Sequence, residues 1–291
     1  MKFWQGISFA EPDQLVEIAK GAEEAGFEGV LVSEHLFVPD DYAAKYPYRE
    51  GGVPDFTAET PFPDPFVAIG AMATVTSRLR FTTLIHILPL HHPIEVAKLA
   101  GTAAVMSDNR VLIGCGAGWM REEFDILGVD FKTRGRRFNE CIDVVRKLWT
   151  GGMVEHHGEF FDFDRIQMSP APTQQVPILV GGHSKIALKR AADLGDGWAG
   201  AGSTFEETGE ILKEIGRLRK ENGRADLPFE TIVPLQVPLD LDAAKTVADL
   251  GADGTVHFPF FYMLGPNSPL QAKLDLMKRF GDEVIKPMNG G

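Results

Sequence analysis

The chain has 291 residues, 44% of them hydrophobic and 24% charged, which is ample apolar material for a large core. Asp and Glu outnumber Lys and Arg 41 to 29, a net charge of −12 that argues against nucleic acid and anionic membranes as partners, since both need clustered cations. The only cysteines, Cys115 and Cys141, give no disulfide framework, and neither a signal peptide nor a membrane-length apolar run is present, so a reducing cytoplasm is the expected location.

Phe3–Phe9 reads as a first strand. Pro12 suits a helix start, and Leu15, Ile18, Ala19 and Ala22 form an apolar stripe that Gly26 ends. Phe27–Val32 is a second strand, closing on Ser33-Glu34-His35. The stretch from Leu36 to Pro63 is rich in proline, tyrosine, aspartate and glycine and lacks any helical or strand period, which marks a functional loop or lid. Asp64 caps a helix through Ser77, Leu79–Leu88 forms a third strand, and a helix follows from Ile94 to Met106. Arg110–Trp119, R-V-L-I-G-C-G-A-G-W, holds a fourth strand and three alternating glycines.

Met120–Leu127 is a short helical piece, and Thr133–Trp149 a long helix with Phe138, Cys141, Ile142, Val145, Leu148 and Trp149 on one face. Gly151–Phe163 breaks the alternation as a small β excursion. Strand Val176–Val180 then leads through Gly181-Gly182-His183-Ser184 into a helix that ends at Gly195. Strand Gly197–Ala201, a helix opened by a Thr204–Glu207 capping box, strand Thr231–Val237, helix Asp242–Leu250, strand Gly254–Phe258 and helix Leu270–Val284 complete the chain. About eight alternations without a composition break predict an α/β fold, a single (β/α)8 TIM barrel over residues 1–291 with insertions after strands two and four. A doubly wound open sheet is the alternative.

Barrel chemistry gathers at the C-terminal ends of the strands. Gly114, Gly116 and Gly118 leave one strand face bare, either for a flat ligand or for a neighbouring loop; a dinucleotide fingerprint fails because Trp119 stands where its last glycine belongs. Glu34 and His35 are adjacent on a strand end and point to different faces, so His35 is a candidate for proton transfer or for anchoring a loop. Gly181–Ser184 opens a helix as an anion cradle or as an ordinary turn with an N-cap. Trp119, Trp198 and His257 are candidate walls of a substrate pocket. His86, His91, His92, His156, His157 and His183 raise the question of a metal. None is expected, because strand one ends in Gly6-Ile7-Ser8-Phe9 with no ligand and adjacent histidines point apart when extended. Arg134, Arg136 and Arg137 are expected to form salt bridges, and Cys115 to be a buried thiol. No nucleophile elbow, Walker loop or Cys-x-x-Cys occurs.

The stretches A-G-F-E-G-V-L-V-S-E-H (25–35), L-R-F-T-T-L-I-H-I-L-P-L-H-H-P (79–93), R-V-L-I-G-C-G-A-G-W (110–119), G-V-D-F-K-T-R-G-R-R (128–137), H-G-E-F-F-D-F (157–163), P-I-L-V-G-G-H-S (177–184) and A-D-L-G-D-G-W (192–198) together resemble the bacterial luciferase-like superfamily, in particular its coenzyme F420-dependent oxidoreductases. The resemblance implies a barrel mouth that seats a deazaflavin ring against strands three and four. It implies a non-prolyl cis peptide near Leu84–Ile85, although Thr82, Thr83 and Leu84 stand where many relatives are glycine-rich. It also implies that Glu34, Thr83, Leu84, Ile85, Gly116, Ala117 and Gly118 meet the ring, that Gly181, Gly182, His183 and Ser184 meet the phosphate, and that His35 moves a proton. Relatives sometimes carry a carboxylate after strand four; with Trp119 following the last glycine, that role is not carried over.

The implied reaction is hydride transfer between F420 and an unidentified small substrate. The alternatives are a flavin mononucleotide (FMN) monooxygenase fed by a separate reductase, a flavin- or deazaflavin-binding barrel without turnover, and a metal-dependent hydrolase. Specificity is expected in the lid and near His257–Met263, and Thr133–Trp149 and Phe258–Tyr262 are candidate homodimer surfaces.

Overall fold

The computed structural model describes residues 1–290. Eight parallel strands close a barrel: β1 (Lys2–Gly6), β2 (Gly29–Val32), β3 (Arg80–Thr83), β4 (Val111–Cys115), then, beyond the hairpin β5 (Met153–His157) and β6 (Asp162–Gln167), β7 (Ile178–Gly181), β8 (Gly197–Ala199), β9 (Glu230–Val233) and β10 (Gly254–His257). Each barrel strand pairs with the next, and β10 pairs back onto β1. The observed strands are shorter than the apolar runs that announce them. In β1, β3, β8, β9 and β10 the C-terminal part of the run leaves the ladder and becomes loop lining the mouth.

Side-chain alternation divides the core into two layers. Trp4, Leu31, Leu112, Leu179, Ala199, Ile232 and Val256, each from a different strand, fill the barrel interior, with Leu84 packed against them. Phe3, Phe27, Phe81, Phe138, Trp198 and Phe280 belong to the thicker layer between strands and helices. Burying a large side chain of this kind stabilises the fold by about 1.5–3 kcal/mol.

The outer ring holds α1 (Leu15–Ala25), α2 (Pro65–Ala73), α3 (Pro93–Met106), α4 (Arg121–Ile126), α5 (Arg134–Leu148), α6 (Lys185–Leu194), α7 (Phe205–Glu221), α8 (Leu241–Asp249), α9 (Phe260–Leu264) and α10 (Leu270–Phe280). Their ends follow the residues predicted to cap them. Asp64 accepts from the Phe66 and Val67 N–H groups, and Thr204 with Glu207 forms the expected reciprocal capping box. The closing helix departs from expectation. A Cβ at Gly281 would stand 2.4 Å from the Ala25 carbonyl oxygen. At this close approach the helix widens into a π turn, Gly281–Ile285, before a last turn α11 (Lys286–Asn289).

Two insertions depart from the simple repeat, at the places the sequence indicates. The first, residues 33–64, crosses the barrel mouth with one short helical turn at Glu50–Gly52. The second, between β4 and β7, contains α4, α5 and the hairpin. The Glu140 carboxylate on α5 accepts from the N–H groups of Glu159, Phe160 and Phe161, fastening the hairpin turn to the ring. Among the described residues no helix is long and apolar enough to cross a membrane.

Candidate active site

A cavity of about 710 Å³ opens at the C-terminal mouth of the barrel, beneath residues 33–64. Its floor is aliphatic, made by Leu31, Leu84, Ile85 and Val256, and one side is made of small residues, Gly182 and Gly200–Gly202. The Leu84–Ile85 peptide bond is cis, at the position the family resemblance implies. Just beyond it, His86 resumes pairing with strand four: its N–H donates to the Gly114 carbonyl and its carbonyl accepts from the Gly116 N–H.

The alternate glycines of strand four do not form a bare floor for a ring. Cβ atoms built at Gly114, Gly116 and Gly118 would lie 2.1 Å from the Thr83 carbonyl oxygen, 2.2 Å from Ile85 Cδ1 and 2.7 Å from both Ile87 and Phe124. The space is already filled by strand three and α4. Ile85 also reaches the next strand, with its Cγ2 3.0 Å from a Cβ at Gly181, so one side chain fills two glycine notches. Gly116, Ala117 and Gly118 contribute nothing to the cavity wall. Thr83 is likewise enclosed, its hydroxyl donating to the Gly114 carbonyl at 2.6 Å. Of the strand-three and strand-four positions expected at the ring, Leu84 and Ile85 line the cavity.

His35 and Glu34 diverge as their adjacency predicts. His35 lines the cavity, flanked by Phe56 at 4.7 Å and Phe62 at 5.1 Å between ring centroids. Its Nδ1 lies 3.0 Å from the buried carboxylate of Glu123 on α4. An ionised carboxylate only accepts, so Nδ1 carries the donated proton and Nε2 on the opposite ring edge is left as the acceptor. Glu123 thus supplies a carboxylate after strand four, correcting the reading that Trp119 had displaced that role. It enters one helical turn beyond Trp119, on the same inward face as Phe124, and that amphipathic placement was the available signal.

The Glu34 side chain turns away from the ring site. His86 Nδ1 and His91 Nε2 each lie 2.9 Å from one of its oxygens, and the Ile87 N–H donates to it at 2.8 Å. Burial alone would raise its pKa, but the two histidines prevail and hold the carboxyl far below the ordinary carboxylate range. Glu34, His86 and His91 have the composition of a metal site, which the sequence argument against metals did not foresee. One carboxylate oxygen accepts from the Ile87 N–H, whereas the facing nitrogens of His86 and His91 approach at 2.9 Å without hydrogen-bond alignment.

The Gly181–Ser184 turn is mostly committed to the protein. Ser184 accepts from the Ala187 N–H as an N-cap, and His183 Nε2 accepts from the Ala201 N–H at 3.0 Å. Burial lowers the pKa of His183, which fits this neutral accepting role. Gly182 alone of the four reaches the cavity, and the hydroxyl of Tyr48 lies 3.5 Å from its Cβ position.

Trp198 and His257 are corrected more simply. Both face the helical ring, because their neighbours Ala199 and Val256 take the inward positions. Trp198 is fully buried and donates to the Gly182 carbonyl at 3.0 Å. His257 packs 4.2 Å from Phe280 between centroids and contacts Gln5 at 2.7 Å. The Gln5 amide nitrogen already donates to the Gly6 and Phe258 carbonyls, so its oxygen receives the His257 Nδ1–H. Burial and the nearby Arg279 press the His257 pKa down to about 4. Trp119 does line the cavity.

The profile of the luciferase-like monooxygenase family matches residues 4–278. An uncharacterized protein of Mycobacterium tuberculosis is 40% identical over 287 residues, covering 98% of this chain and 99% of the relative. An F420-dependent glucose-6-phosphate dehydrogenase of Nakamurella multipartita is 26% identical over 281 residues, covering 94% and 76%. The fold is shared with the monooxygenase RslO1 of Streptomyces bottropensis, with TM-score 0.78, 18% identity and coverage of 99% and 100%. It is also shared with the coenzyme F420-dependent tetrahydromethanopterin reductase of Methanopyrus kandleri, with TM-score 0.75, 16% identity and coverage of 98% of both chains. The match across nearly the whole barrel, together with the mouth geometry, makes this chain a member of the luciferase-like monooxygenase family.

Proposed function

We propose that the protein is a coenzyme F420-dependent oxidoreductase that moves a hydride between the deazaflavin and a small organic molecule, with His35 as the acid/base. The observation that carries this reading is the His35–Glu123 pair on the cavity wall. Glu123 fixes the imidazole tautomer and orientation, leaving Nε2 to take a proton from a substrate hydroxyl or return one to a carbonyl oxygen. Phe56 and Phe62 restrict water around the ring, which strengthens that exchange.

The cavity suits the coenzyme in two respects. Leu84, Ile85 and Val256 offer a flat conjugated ring an apolar seat, and Gly182 with Gly200–Gly202 leaves backbone open for a polar tail. When bound, the reduced deazaflavin supplies the hydride and its two electrons. An F420-dependent relative of 26% identity supports this choice, while an FMN-bound monooxygenase shares the fold, so the two cofactors are set against each other experimentally. Titrating the purified protein with F420 and with FMN, following ligand fluorescence, tests it. Saturable F420 binding tighter than FMN binding is expected. Preference for FMN would move the protein to the reductase-fed monooxygenases, and binding of neither at roughly 50 μM would refute the redox reading.

A further inference from the structure

We infer that the substrate is uncharged, flat and largely apolar, with one hydrogen-bonding oxygen directed at His35; this assignment specifies the substrate class within the redox reading above. Two independent features of the cavity carry it.

The first is an aromatic rim borne by three separate loops. Phe9 follows β1, Phe56 and Phe62 belong to the lid, and Tyr262 lies on α9. Phe9 meets Phe62 at 5.5 Å and Tyr262 at 6.3 Å between centroids, and Phe56 meets Phe62 at 5.2 Å. Phe9 holds a φ of +64°, a left-handed conformation that disfavours a side chain of its size, and it is kept there with its ring in the rim. His35 projects among these rings with Trp119 6.0 Å away. Aromatic surfaces of this kind offer face and edge contacts that a flat apolar guest can fill.

The second is charge. One cationic side chain, Arg49, lines the cavity, with the lid carboxylates Glu50 and Asp55 beside it, the Glu34 carboxylate being turned toward His86 and His91. Arg49 is ion-paired with Asp55, which also accepts from the Tyr262 hydroxyl. At this rim a sugar phosphate or carboxylate would find no unpaired cation, whereas the coenzyme's own phosphate is left to the Gly182 and Gly200–Gly202 side of the cavity.

The test uses the purified full chain without added coenzyme, read by calorimetry and by quenching of intrinsic tryptophan fluorescence, with Trp119→Phe assigning the part that comes from the cavity. The probes are 2-acetylnaphthalene, 2-naphthoate and glucose 6-phosphate. The neutral ketone is expected to bind with a Kd of roughly 0.1 mM, and glucose 6-phosphate to show no saturation at about 10 mM. Phe62→Ala should weaken the ketone at least about tenfold and Phe62→Leu, which keeps the bulk without the ring, should recover little of it, with thermal unfolding confirming that both variants are folded. Asp55→Asn frees Arg49 and should tighten 2-naphthoate at least about fivefold. Glucose 6-phosphate binding as tightly as the ketone, ketone affinity unmoved by Phe62→Ala, or naphthoate affinity unmoved by Asp55→Asn would each overturn the assignment. The F420 titration is scored separately. Ketone binding without F420 binding refutes the redox reading alone, whereas F420 binding with phosphate-dependent substrate binding refutes this inference alone.

Discussion

The contact between Gly116 and Ile85 supports a double-mutant cycle whose outcome separates a packed notch from a ligand floor. In Gly116→Ala the new Cβ would lie 2.2 Å from Ile85 Cδ1, so the isoleucine must leave its rotamer or the strands must part. Overpacking of this degree costs about 2 kcal/mol. Ile85→Val removes Cδ1 alone and costs about 1 kcal/mol. In the double variant the methyl that clashes is gone, so the total should stay near about 1 kcal/mol, a coupling of about 2 kcal/mol in favour of the pair. Thermal unfolding followed by circular dichroism reads this directly. At roughly 2–4 °C per kcal/mol, Gly116→Ala should lose about 4–8 °C and the double variant about 2–4 °C. Additive losses would refute the packing argument. A Gly116→Ala protein of unchanged stability but weakened F420 binding would return the glycine face to the ligand.

Three further outcomes are expected. His35→Ala should slow turnover by about 10²–10⁴-fold with F420 affinity retained, and Glu123→Gln should slow it while shifting the pH profile; normal rates in both would remove the dyad from the reaction. His257 is held neutral with a folded pKa of about 4, so the unfolded chain binds its proton first as pH falls below the ordinary histidine value. That group should therefore remove up to about 3 kcal/mol of stability between pH 6.5 and 4 and nothing above, and His257→Gln should flatten that part of the stability curve. Glu34 is a depressed carboxyl, whose stabilisation is present above its unfolded value and lost as pH falls below it. Glu34→Gln should cost about 3 kcal/mol near neutrality, and dialysis against EDTA should leave the melting temperature of the parent protein unchanged; a drop on chelation would identify Glu34, His86 and His91 as metal ligands.

The eightfold alternation and both insertions were legible because apolar runs, caps and glycine stops are local signals. The lining of the mouth was legible only in part. Strands of a parallel barrel are buried on both faces, so parity cannot be read from hydrophobicity, and Trp198 and His257 were assigned to the wrong side. Strand four announced an empty face truthfully, but the isoleucine that fills it comes from strand three, 31 residues earlier. Glu123 escaped for a similar reason, since its meeting with His35 spans 88 positions. His35 itself was visible, because its place at the end of strand two and its imidazole chemistry singled it out, while adjacency to Glu34 implied only that the two point to different faces.

The segment over the mouth is tethered at three separated points: Ala43 and Ala44 donate to Glu122, Tyr48 rests on the Gly182 turn, and Asp55 accepts from Tyr262. Each tether is a surface contact worth about 1 kcal/mol. Because they lie on α4, the α6 turn and α9, one can release while the other two preserve register. Losing any one of them therefore leaves the cover held at two other places, so no single contact fixes how the mouth is closed.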